Sequence, residues 1–258
     1  MKRQVCIVGM GEIGGVFARG FLKAGHPVYP VLRGMDLSKL EKAIDPEVIV
    51  ISVAEKDFSA CLSALPRVWH DRLVLVQNEL LPCDWERHGL AHPTVISIWF
   101  EKKWPQDYKV IIPSPVFGPH APLIETVLKN FQISTRVLKS TEELLFELVL
   151  KNLYILTINI AGLEVGGTVG ELWSKHEPFA RGVASDVLDV QFKLIGRQLD
   201  RAPLIQGMRK AFEGDWNHKC MGRTALARLQ RVIAQADEAH LDVNALRQIQ
   251  TRQKINHS

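Results

Sequence analysis

Through its first 139 residues the chain alternates between two hydrophobic periods, one suited to strands and one to helices. The β-branched run "QVCIVGM" predicts a strand, and "GGVFARGFLKAGH" behind it carries apolar residues at helical spacing. "PVYPVLR" predicts a second strand and "EVIVISV" a third, the latter introduced by the turn signal Asp45-Pro46. A helix over "KDFSACLSALPRV" leads to a fourth strand, "RLVLVQN". "TVISIWFE" and "KVIIPSP" predict two more strands, followed by a helix over "APLIETVLKNF" and a last short strand, "STRVLK". Strands separated by such helical stretches predict an α/β fold with a doubly wound parallel sheet. Right-handed crossovers then place helices on both of its faces.

Near Lys139–Thr141 the pattern changes. Strand signals stop, and helical periodicity runs almost to the C-terminus. Two domains are expected, an α/β domain over 1–139 and an all-α domain over 140–258. The polar tail "RQKINHS" is expected to fray.

Composition narrows this picture modestly. Apolar residues make up 47% of the 258 positions and charged residues 23%, as in soluble globular proteins. The formal charge of +4 suits anionic small molecules and falls short of the clustered basic stripe of a nucleic-acid binder. Cys6, Cys61, Cys83 and Cys220 are scattered, so no metal or disulfide framework is read from them, and reduced, buried thiols are expected. Met1-Lys2-Arg3 and Val5–Val8 start like a secretion signal, but glycines and Arg19 interrupt the apolar run at once. The most apolar stretch, "LLFELVLKNLYILTINIAGL" (144–163), is broken by Glu147, Lys151, Asn152 and Asn159, against the nearly uncharged run a bilayer span needs. A cytoplasmic protein without a membrane segment is expected.

Two features carry chemistry. Gly9-Met10-Gly11-Glu12-Ile13-Gly14 fits G-x-G-x-x-G, after a predicted strand and opening a predicted helix. In this Rossmann-type arrangement the first glycine makes the tight turn and the second admits a pyrophosphate close to the backbone. The third lets helix and strand pack. The helix start offers unpaired N–H groups and a positive dipole end to phosphates. NAD-binding folds place an acid about 20 residues further on, to hold the ribose 2′-hydroxyl. Here Arg33 occupies that place, and a guanidinium pairs with a 2′-phosphate. NADP(H) is therefore expected over NAD(H).

The second feature is the apolar helix predicted over 142–166, whose Lys151, Asn152 and Asn159 need partners or a cavity to line. At about 100° per residue, Ile155 lies about 40° from Lys151, Asn159 about 80° and Gly162 about 20°. Asn152 and Asn159 nearly eclipse one another, and Gly166 continues the sector one turn later. Such a stripe can line a substrate cleft, where burial would lower the lysine's pKa and make it a proton donor near neutral pH. Equally, Lys151 can run its stem to water while the asparagines cap neighbouring loops.

Together these stretches resemble the ketopantoate reductase (2-dehydropantoate 2-reductase) family. "VCIVGMGEIGGVFARGFLKAGHPVYPVLR" resembles the family's opening, and "PEVIVISVAEKDFSACLSAL" followed by "VLVQNEL" is similar to its third and fourth strands. "LVLKNLYILTINIAGLEVGGTVGEL" resembles its lysine-bearing helix. The likeness covers residues 3–80 and 140–175 and is looser beyond. It implies an NADPH-dependent reductase in which Lys151 is the general acid and Asn78 lies by the nicotinamide and substrate. Asn159 would contact substrate, and Arg33 the 2′-phosphate.

The chain departs from the family at several places. Ile155 stands where a second asparagine is usual, Glu79 where a glycine follows the strand-four asparagine, and Ala54, with Lys56 close by, where a lysine is expected. The late glutamate that grips the substrate hydroxyl aligns with Thr224, in "EGDWNHKCMGRTALARL", a segment carrying Asp215, His218, Lys219 and Arg223. A changed set of polar contacts implies a changed substrate, and His218 and Lys219 could bind a carboxylate or phosphate or simply decorate a loop.

Two readings stand at this point. One is reduction of a small 2-oxo acid or related carbonyl compound by NADPH. The other is a dinucleotide-binding protein with altered chemistry, acting as a redox sensor or partner-binding module. A dehydrogenase oxidising a 3-hydroxy acid is a variant of the first. Leucine-rich flanks of the helical half make a homodimer plausible.

Overall fold

The chain's computed structural model describes residues 2–103 and 106–256. Its main sheet takes β1 (Val5–Val8), β2 (Val28–Val31), β3 (Ile49–Ile51), β4 (Leu73–Leu75) and β5 (Thr94–Ile96), in the order β2-β1-β3-β4-β5 and parallel throughout. Every residue of β1, β3 and β4 is buried. Strands buried on both faces are what a sheet covered by crossover helices requires. This is the α/β, doubly wound arrangement expected from the sequence.

The crossovers run through α1 (Glu12–Lys23), α2 (Leu37–Ala43) and α3 (Glu55–Ala64), the last followed by a 3-10 turn, and then the short α4 (Pro82–Glu86). Helix α1 turns Val16, Phe17 and Phe21 onto a core with Ile7, Val50, Val74 and Ile96. The sequence reading has no counterpart for α2 or α4. Both are too short to show a helical period, and only the need to carry one parallel strand to the next reveals them.

Beyond β5 the sheet changes direction. The stretch read as two strands forms parts of four, because β6 (Phe100–Lys103) and β7 (Gln106–Val110) make a separate antiparallel pair. The chain returns as β8 (Ser114–Phe117), antiparallel to β5, as follows when no helix intervenes to bring it round. Helix α5 (Ala121–Lys129) then leads to β9 (Thr135–Val137), parallel to β8. It packs against α1 so closely that a Cβ at Gly20 would come within 2.5 Å of Val127 Cγ1.

The chain divides into two compact units, Met1–Glu147 and Leu148–Ser258. Among the described residues the strands end with the first unit. The rest is α6 (Thr141–Val165), in which the division falls, then α7 (Val169–Leu194), α8 (Arg201–Gly214), α9 (Ala225–Glu238) and α10 (Asn244–Asn256). Gly166 and Gly167, both at positive φ, turn the chain from α6 into α7. There Thr168 and Glu171 form a reciprocal capping box. Helix α7 kinks at His176, two residues before Pro178, whose ring clashes with the preceding turn. Helix α6 is long and apolar enough to cross a bilayer, yet 94% of its most apolar stretch is buried within the protein. Helix α10 runs into the polar tail and ends at Asn256; 257 and 258 lie outside the described residues. Of the four free cysteines Cys6 and Cys220 are buried, whereas Cys83 is exposed, contrary to the expectation of uniformly buried thiols.

Candidate functional site

Each glycine of the turn after β1 has a distinct geometric reason. Gly9 adopts φ +90, and a Cβ there would come within 2.8 Å of the Ser52 carbonyl oxygen. At Gly14 a Cβ would collide with the Gly9 carbonyl and lie 2.6 Å from Ser52 Oγ, so helix and strand touch only because this residue is glycine. Gly11 is different. Nothing lies within 4 Å of its missing Cβ, and its backbone is ordinary for any residue. Its bareness leaves the approach to the start of α1 open. The first helical bond runs from Gly15 N–H to Gly11 C=O, which leaves the N–H groups of the preceding turn without intrahelical acceptors. This is a cradle suited to a pyrophosphate.

Ser52 completes the turn and was not singled out by sequence. Its hydroxyl lies 2.6 Å from the Gly9 carbonyl oxygen and 3.1 Å from that of Val8. The signal was available in strand register, because β3 pairs Ile51 with Val8, which sets the next residue beside the turn.

The turn opens on a cavity of about 540 Å³, lined by Gly9, Met10 and Gly11, by Leu32, Arg33 and Met35 after β2, and by Asp57 and Cys61 of α3, among others. Glu12, Ile13 and Gly14 form the helix's first turn behind this lining. Arg33 follows β2 and lines this cavity, and its guanidinium meets the Asp57 carboxylate at 3.1 Å. Burial, with Asp57 adding to it, pushes the Cys61 thiol up to about 11, so this lining sulfur stays neutral.

Asn78 follows β4 and donates to Glu55 at 3.5 Å. The next residue, Glu79, takes φ +58. Its backbone lies in the left-handed region that suits a glycine, although the residue is not one. Lys56, beside Ala54, is exposed on the first turn of α3.

In the helical unit Lys151 is only 9% exposed. Its ammonium nitrogen lies 5.7 Å from the centre of the Tyr154 ring, and that ring lies 6.1 Å from the His218 imidazole. The two amides on the same helix are spoken for in packing. Asn152 Nδ2 donates to Gln191 Oε1 at 2.9 Å, both residues being buried. Asn159 Nδ2 donates to the Ile155 carbonyl at 2.9 Å, while Asn159 Oδ1 accepts from Gly222 N–H at 3.0 Å.

The second of these amides seats the loop between α8 and α9. The loop's Cys220 backbone would come within 2.9 Å of a Cβ at Gly162. Its strand-like edge pairs with the α6–α7 turn through Val169 N–H to His218 C=O, Gly170 N–H to Trp216 C=O and Cys220 N–H to Gly167 C=O. His218 is therefore brought to the Tyr154 ring, whereas Lys219, Arg223 and Thr224 are exposed. Among the described residues no group of His, Cys, Asp and Glu could hold a metal ion.

No protein-family model and no curated protein sequence matches the chain. Solved structures do. A PanE/ApbA family ketopantoate reductase from Ralstonia eutropha JMP134 superposes with a TM-score of 0.68 at 14% identity, covering 98% of this chain and 97% of that one. A dimeric ketopantoate reductase from Staphylococcus aureus gives 0.63 at 15%, covering 98% of each. D-mandelate dehydrogenase in a ternary structure with NADH and anilino(oxo)acetate gives 0.68 at 11%, covering 95% of each. At such identities the likeness is one of architecture, and it runs over nearly the whole chain: this protein has the fold of the ketopantoate reductases and D-mandelate dehydrogenase.

Proposed function

We propose that the protein is an NADPH-dependent oxidoreductase that reduces a small 2-oxo acid or related carbonyl compound, with Lys151 as general acid. The observation that carries this reading is the glycine cradle, with Gly11 bare toward one cavity and Arg33 on the rim of the same cavity. The backbone of Gly9, Met10, Gly11, Glu12, Ile13 and Gly14 would hold the pyrophosphate, and Arg33 the 2′-phosphate. When bound, the nicotinamide supplies the hydride.

The remaining chemistry belongs to the chain. Asn78 would orient the nicotinamide amide and the substrate. Lys151, only 9% exposed, would hold a proton for the carbonyl oxygen and donate it as hydride arrives. Asn159 would contact substrate through what its amide retains beyond Ile155 and Gly222. A homodimer, as in the Staphylococcus aureus neighbour, and a cytoplasmic location complete the reading.

Lys151→Met and Lys151→Ala are expected to abolish NADPH oxidation with the true substrate while NADPH still binds. Full activity in either variant would overturn the mechanism. A second reading, a dinucleotide-binding protein that reduces nothing, is favoured by one observation: the amides of Asn152 and Asn159 serve internal packing. NADPH oxidation against a panel of 2-oxo acids separates the two. Tight cofactor binding without oxidation by any of them would favour the second.

A further inference from the structure

We propose that Asp57 sets how strongly the nucleotide cavity prefers a 2′-phosphate to a 2′-hydroxyl, acting as a counterweight to Arg33. The inference rests on the nucleotide reading above and adds a residue to it. Asp57 comes from the first turn of α3 and Arg33 from the end of β2, and their side chains meet at 3.1 Å. Both line the cavity that Gly9 and Gly11 line. Among the described lining residues they are the only two that carry charge, the Cys61 thiol being held neutral. The place where the ribose 2′ group would be read is thus balanced, one cation against one anion.

The pair contributes little to stability. The Arg33 side chain is 89% exposed and that of Asp57 40%, and ion pairs so open to water are weak. Its consequence is for selection. A 2′-phosphate gains the Arg33 guanidinium but must share it with a carboxylate and bear that carboxylate's repulsion. A 2′-hydroxyl can donate to Asp57, the role an acid plays in NAD-binding folds, and accept from Arg33. Both cofactors are therefore admitted, and the preference for NADPH is narrower than Arg33 alone would make it. Removing the carboxylate's charge widens the preference by a factor on the order of ten, the size of one unit-charge interaction a few ångströms apart in a water-rich site.

The test measures dissociation constants for NADPH and NADH by nicotinamide fluorescence. The same comparison with 2′,5′-ADP and 5′-AMP by calorimetry isolates the adenosine end. Asp57→Asn is expected to raise the NADPH-to-NADH preference about tenfold, chiefly through tighter NADPH. NADH is expected to bind no more tightly than to the wild type, since its 2′-hydroxyl loses the carboxylate it would donate to. Arg33→Ala is expected to bring the preference below that of the wild type. Asp57→Ser, made in parallel, must move the preference in the same direction as Asp57→Asn. If both Asp57 variants leave it unchanged while the wild-type protein binds the nucleotides, the assignment of Asp57 is wrong and the nucleotide reading stands. If the wild-type protein binds none of the four probes, the nucleotide reading itself falls, and this inference with it.

Discussion

Gly14 touches the carbonyl of Gly9 so closely that no side chain fits between them, whereas Gly11, three residues earlier, faces open space. Gly14 is required by folding, whereas Gly11 is not, and in the function proposed above its bareness serves the pyrophosphate. Gly14→Ala is therefore expected to cost about 3 kcal/mol by forcing α1 off the sheet, visible as a lower urea midpoint. Gly11→Ala is expected to stay within about 1 kcal/mol of the parent and to weaken NADPH binding about tenfold or more. A Gly11→Ala protein with unchanged nucleotide affinity would contradict the cradle.

Asn152 and Gln191 make a hydrogen bond out of contact with water. Asn152→Leu strands the Gln191 amide and is expected to cost about 1–3 kcal/mol. The double variant Asn152→Leu/Gln191→Met, which removes both polar groups, is expected to regain most of that loss. Equilibrium denaturation of the two single variants and the double one measures the coupling, and additive losses would mean that the pair does not interact.

Asn159 is the acceptor for Gly222 N–H. Asn159→Leu is expected to cost about 1–3 kcal/mol and to accelerate hydrogen exchange at Gly222 and Cys220 relative to the rest of the unit. Uniform protection along this loop would show that backbone pairing with the α6–α7 turn holds it unaided.

Glu147 is buried beside Arg136. Burial raises its carboxyl above the usual 4.5, and Arg136 only partly opposes this. A group shifted upward adds to stability below its unfolded value, and that contribution is lost as pH climbs through the folded value. Glu147→Gln keeps the shape without the ionisation, so its stability relative to the wild type is expected to rise from pH 4 toward neutrality. Denaturant midpoints across that range check the sign, and parallel curves would show that the carboxylate is not penalised.

Much of the first unit was legible along the chain, because its features are local. Strand runs, the glycine turn and the arginine after β2 each announce themselves within a few residues. The hairpin of β6 and β7, the reversed β8 and the short α2 and α4 were not legible, since they are decided by how the chain returns to the sheet rather than by any period of their own. Asp57 carried no signal either; its meaning comes from facing Arg33 across 24 positions of sequence.

The amino-acid order by itself determined the parallel α/β start, the helical second half, the glycine turn after the first strand and a lysine on an apolar helix. Only the tertiary structure decided what the polar residues of that helix do. Spacing places Lys151, Asn152 and Asn159 on a helix, but hydrogen bonds to Gln191 and Gly222 depend on which distant segments fold against it. A helix states where its side chains point, and packing alone states what they meet.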